Sequence, residues 1–396
     1  MIHYIILFLI VFNLTSDIYA QEELRLLGAD LLTNEVINGH VVRKLIGNVA
    51  VQQGVVTLYS DQVSYIPDLQ EWTFDGHVRI IEPEKEVRSR YIIYNVSENW
   101  IHFRDSIAVQ RGNAMLTAQR GVYYPDKRQY ACAGMVHFNK EQEHVYADSA
   151  QYFERSEIIE VFKDVLYVNS LDKIRLTGGY GKFYPNRDYG LISHEPSVVF
   201  EDSTTIDSTR ILGNVMEHFG KDRRLRVTDS VRIYRGNLSA RCDTAWYFRN
   251  TNEVRLSGAP SLHQEDKTIV GETIALFFSD NKIEKMIVEG RARATMRVDT
   301  SASTGYEDVL EGSTIVIQFV NSEISQMTAK RNARSKYHVL ENKEHRGASM
   351  VMGESISLQF SESRLSKVQV EGGSEGFFYP PNLVGSMPKE GERSVP

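Results

Sequence analysis

Acids at one recurring slot are the residues here whose type and spacing could do chemistry. Asp61, Asp148, Asp243, Glu272 and Glu354 each follow a small residue. Carboxylates repeated at one depth of a stacked fold could ladder calcium, as in a polysaccharide-cleaving β-helix. The same slot, however, carries Arg90, Gln119 and Gly179 elsewhere. A corner residue that bonds backbone groups freed by a strand bulge is the simpler account. The eleven histidines are scattered with no metal-ligand spacing,. A phosphate loop, a nucleophile elbow and a zinc motif are all missing from the sequence,. No catalytic residue, metal ligand or cofactor is therefore expected, and the chain reads as a non-enzyme.

The elements behind that slot repeat. Ser60, Ser89, Ala118 and Ala147 follow one another at steps of 29 residues, the slot returns at Gly178 and less clearly at Gly213, and Cys242 and Gly271 are again 29 apart. Gly312 and Gly353 follow at steps of 41. A fixed period means one supersecondary unit stacked on itself. In the first strand of a unit, apolar residues alternate up to the small residue, as in Val56, Leu58, Ser60. Beyond it the parity flips to Val63 and Tyr65. Side chains alternate faces with period two, so the flip predicts a bulge or bend at every slot. Turns are marked by Pro67-Asp68, Ser97-Glu98-Asn99 and Pro125-Asp126,. The second strand supplies matched columns such as Trp72, Ile101, Tyr130, Ile159 and Phe74, Phe103, Cys132, Val161. The expectation is an all-β, elongated, repetitive β-jellyroll or β-solenoid-like open sheet stack. About ten units of roughly 29 residues would give on the order of twenty strands. The two longer steps are expected to hold extra polar segments at 297–308 and 330–349.

Bulk properties narrow the partners. A net charge of -7 over 396 residues gives no basic face for nucleic acid,. Residues 1–20 read as a cleaved signal peptide, with a largely apolar run from Tyr4 to Leu14 and Ile18-Tyr19-Ala20 before Gln21,. Export follows, and no cysteine directly after the cut offers a lipid anchor. Cys132 and Cys242 sit about four repeats apart, at least roughly 19 Å at ordinary strand spacing, too far for a disulfide. Residues 21–40 read as a lead-in, 41–379 as the repeat body and 380–396 as a disordered tail.

From Gly47-Asn48-Val49 through Leu58-Tyr59-Ser60-Asp61 to Val63-Ser64-Tyr65, the chain resembles the OstA-like family, which includes LptA. The pattern recurs as Phe74-Asp75-Gly76-His77-Val78 and Val145-Tyr146-Ala147-Asp148-Ser149-Ala150-Gln151-Tyr152, and the likeness covers most of 41–376. The family supplies the periplasmic bridge of lipopolysaccharide transport and the N-terminal domain of the outer-membrane translocon. The resemblance implies an open, V-shaped β-jellyroll whose apolar interior shelters the acyl chains of lipopolysaccharide. That groove would be lined by Leu58, Val63, Tyr65, Trp72, Phe74, Val78, Ile92, Tyr94, Ile101, Phe103, Leu116, Tyr123, Val136 and Phe138. Arg88, Arg90, Arg120, Lys127 and Arg128 would face either lipid phosphates or water. It also implies partners: related OstA-like domains, or copies of this chain, joined by strand addition around residues 41–45 and 366–370. The same columns are equally compatible with a dry core in a structural or adhesive β-solenoid. Nothing in residues 21–396 leads us to expect a C-terminal outer-membrane barrel.

Overall fold

The computed structural model describes residues 25–387, except 84, 141, 154, 157, 171–173, 185–186, 188, 201–208, 220, 280–281, 299–304, 322, 342–343 and 362–363. The expected signal peptide lies outside the described residues. Of the expected tail, Pro381–Ser386 form a 3-10 helix and 388–396 lie outside.

The fold is all-β and antiparallel, with twenty-nine strands among the described residues. There are more than the repeat count implied because some corners cut one strand into two, as at Ala114–Ala118 and Arg120–Tyr124. By compactness the chain divides into two units. One holds residues up to 201 together with 215–222, and the other holds 202–214 together with 223 onward.

In the first unit, successive strands form a meander. His40–Gln53 pairs Val56–Ile66, which pairs Glu71–Glu82, which pairs Lys85–Asn95, and so on to Ile174–Tyr184. The predicted bulges are present, and each has one construction. Gly47 and Asn48 together oppose the single residue Asp61, and Gly76 and His77 oppose Arg90. Gly134 and Met135 oppose Asp148 in the same way. Both residues of each such pair have left-handed backbone, with φ of 75° and 45° at Gly76 and His77. The left-handed pair recurs at Asp105-Ser106 and Lys163-Asp164. Two residues against one bends the strand and increases its local twist, so the side chains before and after the corner both turn inward. The second unit repeats the device at Asp229-Ser230, Gly290-Arg291 and Arg331-Asn332.

Small residues stand opposite these corners because the space is occupied. The side chain of Asp61 lies over Gly76, and Asp30, Gln119, Asp243, Glu272 and Glu354 cover the corner glycines of their neighbours in the same fashion. The backbone N–H of the corner residue supplies the missing ladder bond. Gln119 donates to the Gly134 carbonyl at 2.9 Å and Glu354 to the Gly372 carbonyl at 2.8 Å. Where the small residue is serine, its hydroxyl does the rest: Ser60 Oγ lies 2.8 Å from both the Gln62 and Asp75 carbonyls.

Two expectations are corrected. The second 41-residue step is not a polar insertion: most of 330–349 belongs to the long paired strands Glu323–Glu341 and Glu344–Ser361, while 299–304 of the other expected segment lie outside the described residues. Residues 41–45 are not an edge, because His40–Gln53 is flanked on its other side by Leu31–Ile37 and Arg25–Gly28. That hairpin turns at Asn38-Gly39, both with positive φ, a dipeptide suited to a tight primed turn,. Residues 366–370 do fall in a terminal strand, Arg364–Glu371, whose described pairing is with Glu344–Ser361.

Candidate functional site

The interior of the first unit is where the candidate residues meet. Val78, Ile92, Ile101, Phe103, Leu116, Tyr123 and Val136 are buried in one apolar cluster, with Leu58, Phe74, Tyr94 and Phe138 half-buried against it. Val63 belongs to an adjoining cluster that Trp72 and Phe74 also touch. Tyr65 stacks on Trp72 with ring centroids 4.3 Å apart, and Trp72 on Phe74 at 6.5 Å. All the residues named from sequence are thus brought together. Cluster members come from both sides of the corners, so one apolar interior is shared by both halves of the bent strands.

Side chains at its centre are fully buried. Phe103 is 1% exposed and Val109 0%. The half-buried residues against this interior include the aromatics Trp72, Phe74, Tyr94 and Phe138 beside the aliphatics Val56, Leu58, Ala150 and Ile159. Burial pushes the Tyr94 hydroxyl above its ordinary pKa and pushes the Cys132 thiol up to about 12. Cys132 and Cys242 are both free and buried. In the second unit, a cavity of about 40 Å³ opens among residues including Ile269, Met296, Leu310, Met327 and Phe360.

The basic residues named from sequence divide. The Arg88 guanidinium donates to Glu86 at 2.8 and 2.9 Å, so its charge is already met. Lys127 lies over the Tyr124 ring at 5.1 Å. Arg90 and Arg120 are exposed, and Arg128 is an exposed turn residue with positive φ. The recurring acids do not gather. Asp61 pairs with His77 at 2.7 Å and Glu272 with Arg291 at 3.1 Å, each at its own corner. Among the described residues, no group of three or more His, Cys, Asp or Glu could hold a metal.

Sequence reading missed the exposed apolar start of the fold. Leu26, Leu27, Leu31, Leu32, Val36 and Ile37 stand on the first two strands, with Val36 73% exposed. Among the described residues, Leu31–Ile37 has a strand partner on one side only. The Asn38-Gly39 dipeptide was the signal that could have located it.

No family model matches the chain, and no curated protein matches it either. Among solved structures, the chain is similar to the crystal structure of LptH, the LptA homologous periplasmic component of the conserved lipopolysaccharide transport device from Pseudomonas aeruginosa. The identity is 17% and the TM-score 0.27, over 30% of this chain and 82% of that one.

Proposed function

We propose that this chain is a periplasmic, non-enzymatic carrier that shelters the acyl chains of lipopolysaccharide and bridges transport components. The carrying observation is the bent meander itself. In the first unit, the corners turn both halves of a strand toward an apolar interior, bordered by the half-buried ring ladder Tyr65, Trp72 and Phe74. The OstA-like pattern from Gly47 to Tyr65 supports the choice of cargo. Burial of apolar area at ~25 cal/mol per Å² supplies the binding energy for several acyl chains. Entry requires the half-sheets to part along the corner line, where left-handed residue pairs concentrate the bend. The unpaired, apolar edge at Leu31–Ile37 and the terminal strand Arg364–Glu371 would join related domains or further copies by strand addition,.

A structural scaffold is the second reading, and fully buried side chains favour it: Val109, Leu256, Ile315 and Ile317 have essentially no exposure. Native mass spectrometry of the chain purified from the cell envelope separates the two. The carrier reading expects a co-purifying species with the mass of a lipid A-containing glycolipid. Protein of bare polypeptide mass, still able to fold, would support the scaffold.

A further inference from the structure

One short pattern occurs twice, once in each compact unit. His137 and His144 are separated by six residues at the tip of the hairpin joining Gln129–Lys140 to Glu143–Phe153. His338 and His345 have the same separation at the tip joining Glu323–Glu341 to Glu344–Ser361. Antiparallel register converts that separation into adjacency. In the first hairpin His137 opposes Tyr146 and Asn139 opposes His144; in the second His338 opposes Ala348 and Leu340 opposes His345.

The rings meet in both places. His137 Nε2 lies 3.3 Å from His144 Nδ1, and Tyr146 stacks on His137 at 4.3 Å. The His338 and His345 rings are 5.2 Å apart, with Tyr306 stacked against them at 4.8 and 4.3 Å.

The second pair carries an unmet demand. The His338 side chain is 1% exposed. Its Nδ1 lies 3.0 Å from a carboxylate oxygen of Asp308, which also accepts the His338 backbone N–H at 2.7 Å. A carboxylate accepts, so in the neutral ring the proton sits on Nδ1 and the lone pair on Nε2,. The Nε2 atoms of His338 and His345 are both buried without a hydrogen-bond partner. An imidazole oriented by a carboxylate on one nitrogen, with the other free, is the arrangement that holds a metal-ligating histidine. Glu341 and Glu344 at the tip are paired to Arg346 at 2.9 and 3.1 Å and are not offered as ligands.

We propose that each of these two-histidine hairpins binds one divalent transition-metal ion, Zn²⁺ or Cu²⁺, through its imidazole pair. Imidazole suits these ions. Two nitrogens at 2.0–2.1 Å from a tetrahedral ion are about 3.3 Å apart, which is the separation already present between His137 and His144. The inference is independent of the cargo.

Isothermal titration of the untagged full chain with Zn²⁺ alone, in metal-free, non-coordinating buffer, tests it. Wild type takes up two equivalents, the tighter at the preoriented His338–His345 pair. His345→Asn and His144→Asn each leave one equivalent, and the double variant leaves none, with far-UV circular dichroism unchanged throughout. Failure of wild type to bind Zn²⁺, or unchanged stoichiometry in the folded double variant, would overturn the proposal.

Discussion

Ser60 and Asp75 are fifteen residues apart in the chain, yet the Ser60 hydroxyl lies 2.8 Å from the Asp75 carbonyl across the first complete corner. One unit later the Ser89 hydroxyl lies 3.4 Å from the equivalent Arg104 carbonyl and 2.8 Å from the Ser106 carbonyl. Ala118 and Ala147 fill the same slot without a hydroxyl, so the corner closes without that bond. Ser60→Ala should accordingly keep the fold and cost about 1–2 kcal/mol, the penalty for leaving a buried acceptor unmet. The urea midpoint of the variant checks it. An unchanged midpoint would mean that the hydroxyl contributes nothing.

Gly76 and Gly39 both have positive φ, but only one of them is crowded. A Cβ on Gly76 would stand 2.8 Å from the Asp61 Cβ, whereas one on Gly39 meets nothing within 4 Å. Gly39→Ala should cost about 1–2 kcal/mol from left-handed strain alone. Gly76→Ala adds a steric conflict and should cost roughly 3 kcal/mol or more. Paired thermal melts of the two variants give the ranking, and equal costs would refute the covered-corner account.

Glu86 sits between Arg88 and Arg79, and its carboxyl is held down to about 2, first by the hydrogen bond from Arg88 and then by that from Arg79. A depressed folded-state pKa means that the stabilisation is present above the ordinary value near 4.5 and is lost as pH falls toward 2,. Both arginines are at least half exposed, so the effect should be below about 1 kcal/mol and should shrink in salt,. Stability measured from pH 6 to 2 should fall less steeply in Glu86→Gln than in wild type.

Assembly through the first edge should depend on Leu32 and Val36, which are 61% and 73% exposed. Their joint replacement by lysine places charge on an edge strand, a common device against edge pairing. Sedimentation velocity should show wild-type chains associating with concentration and the Leu32→Lys, Val36→Lys chain remaining monomeric with the same melting temperature. Persisting association would place the contact elsewhere.

Much of the fold was legible because a corner leaves two marks in sequence: a parity flip, as between Leu58 and Val63, and a small residue at the flip. The groove candidates were legible for the same reason, since alternation alone assigns Phe74 and Val78 to the inward face. Leu31–Ile37 was not, because an exposed edge has no burial pattern to read; only the Asn38-Gly39 turn betrays it. The longer period of the last units was misread because Lys330, Arg331 and Arg334 look like a loop, although they lie on a strand with polar outward positions. The histidine pairs were invisible because six intervening residues mean adjacency only once the hairpin register is known.

The central claim is that acyl chains occupy the interior that the corners create. Photoreactive amino acids placed at Phe74 and Tyr94, with exposed Arg79 as the outward control, test it in living cells by mass spectrometry of the crosslinked species. The account predicts lipopolysaccharide adducts at Phe74 and Tyr94 and none at Arg79. A well-folded protein with no lipid at either interior position would contradict it and identify the interior as a closed core.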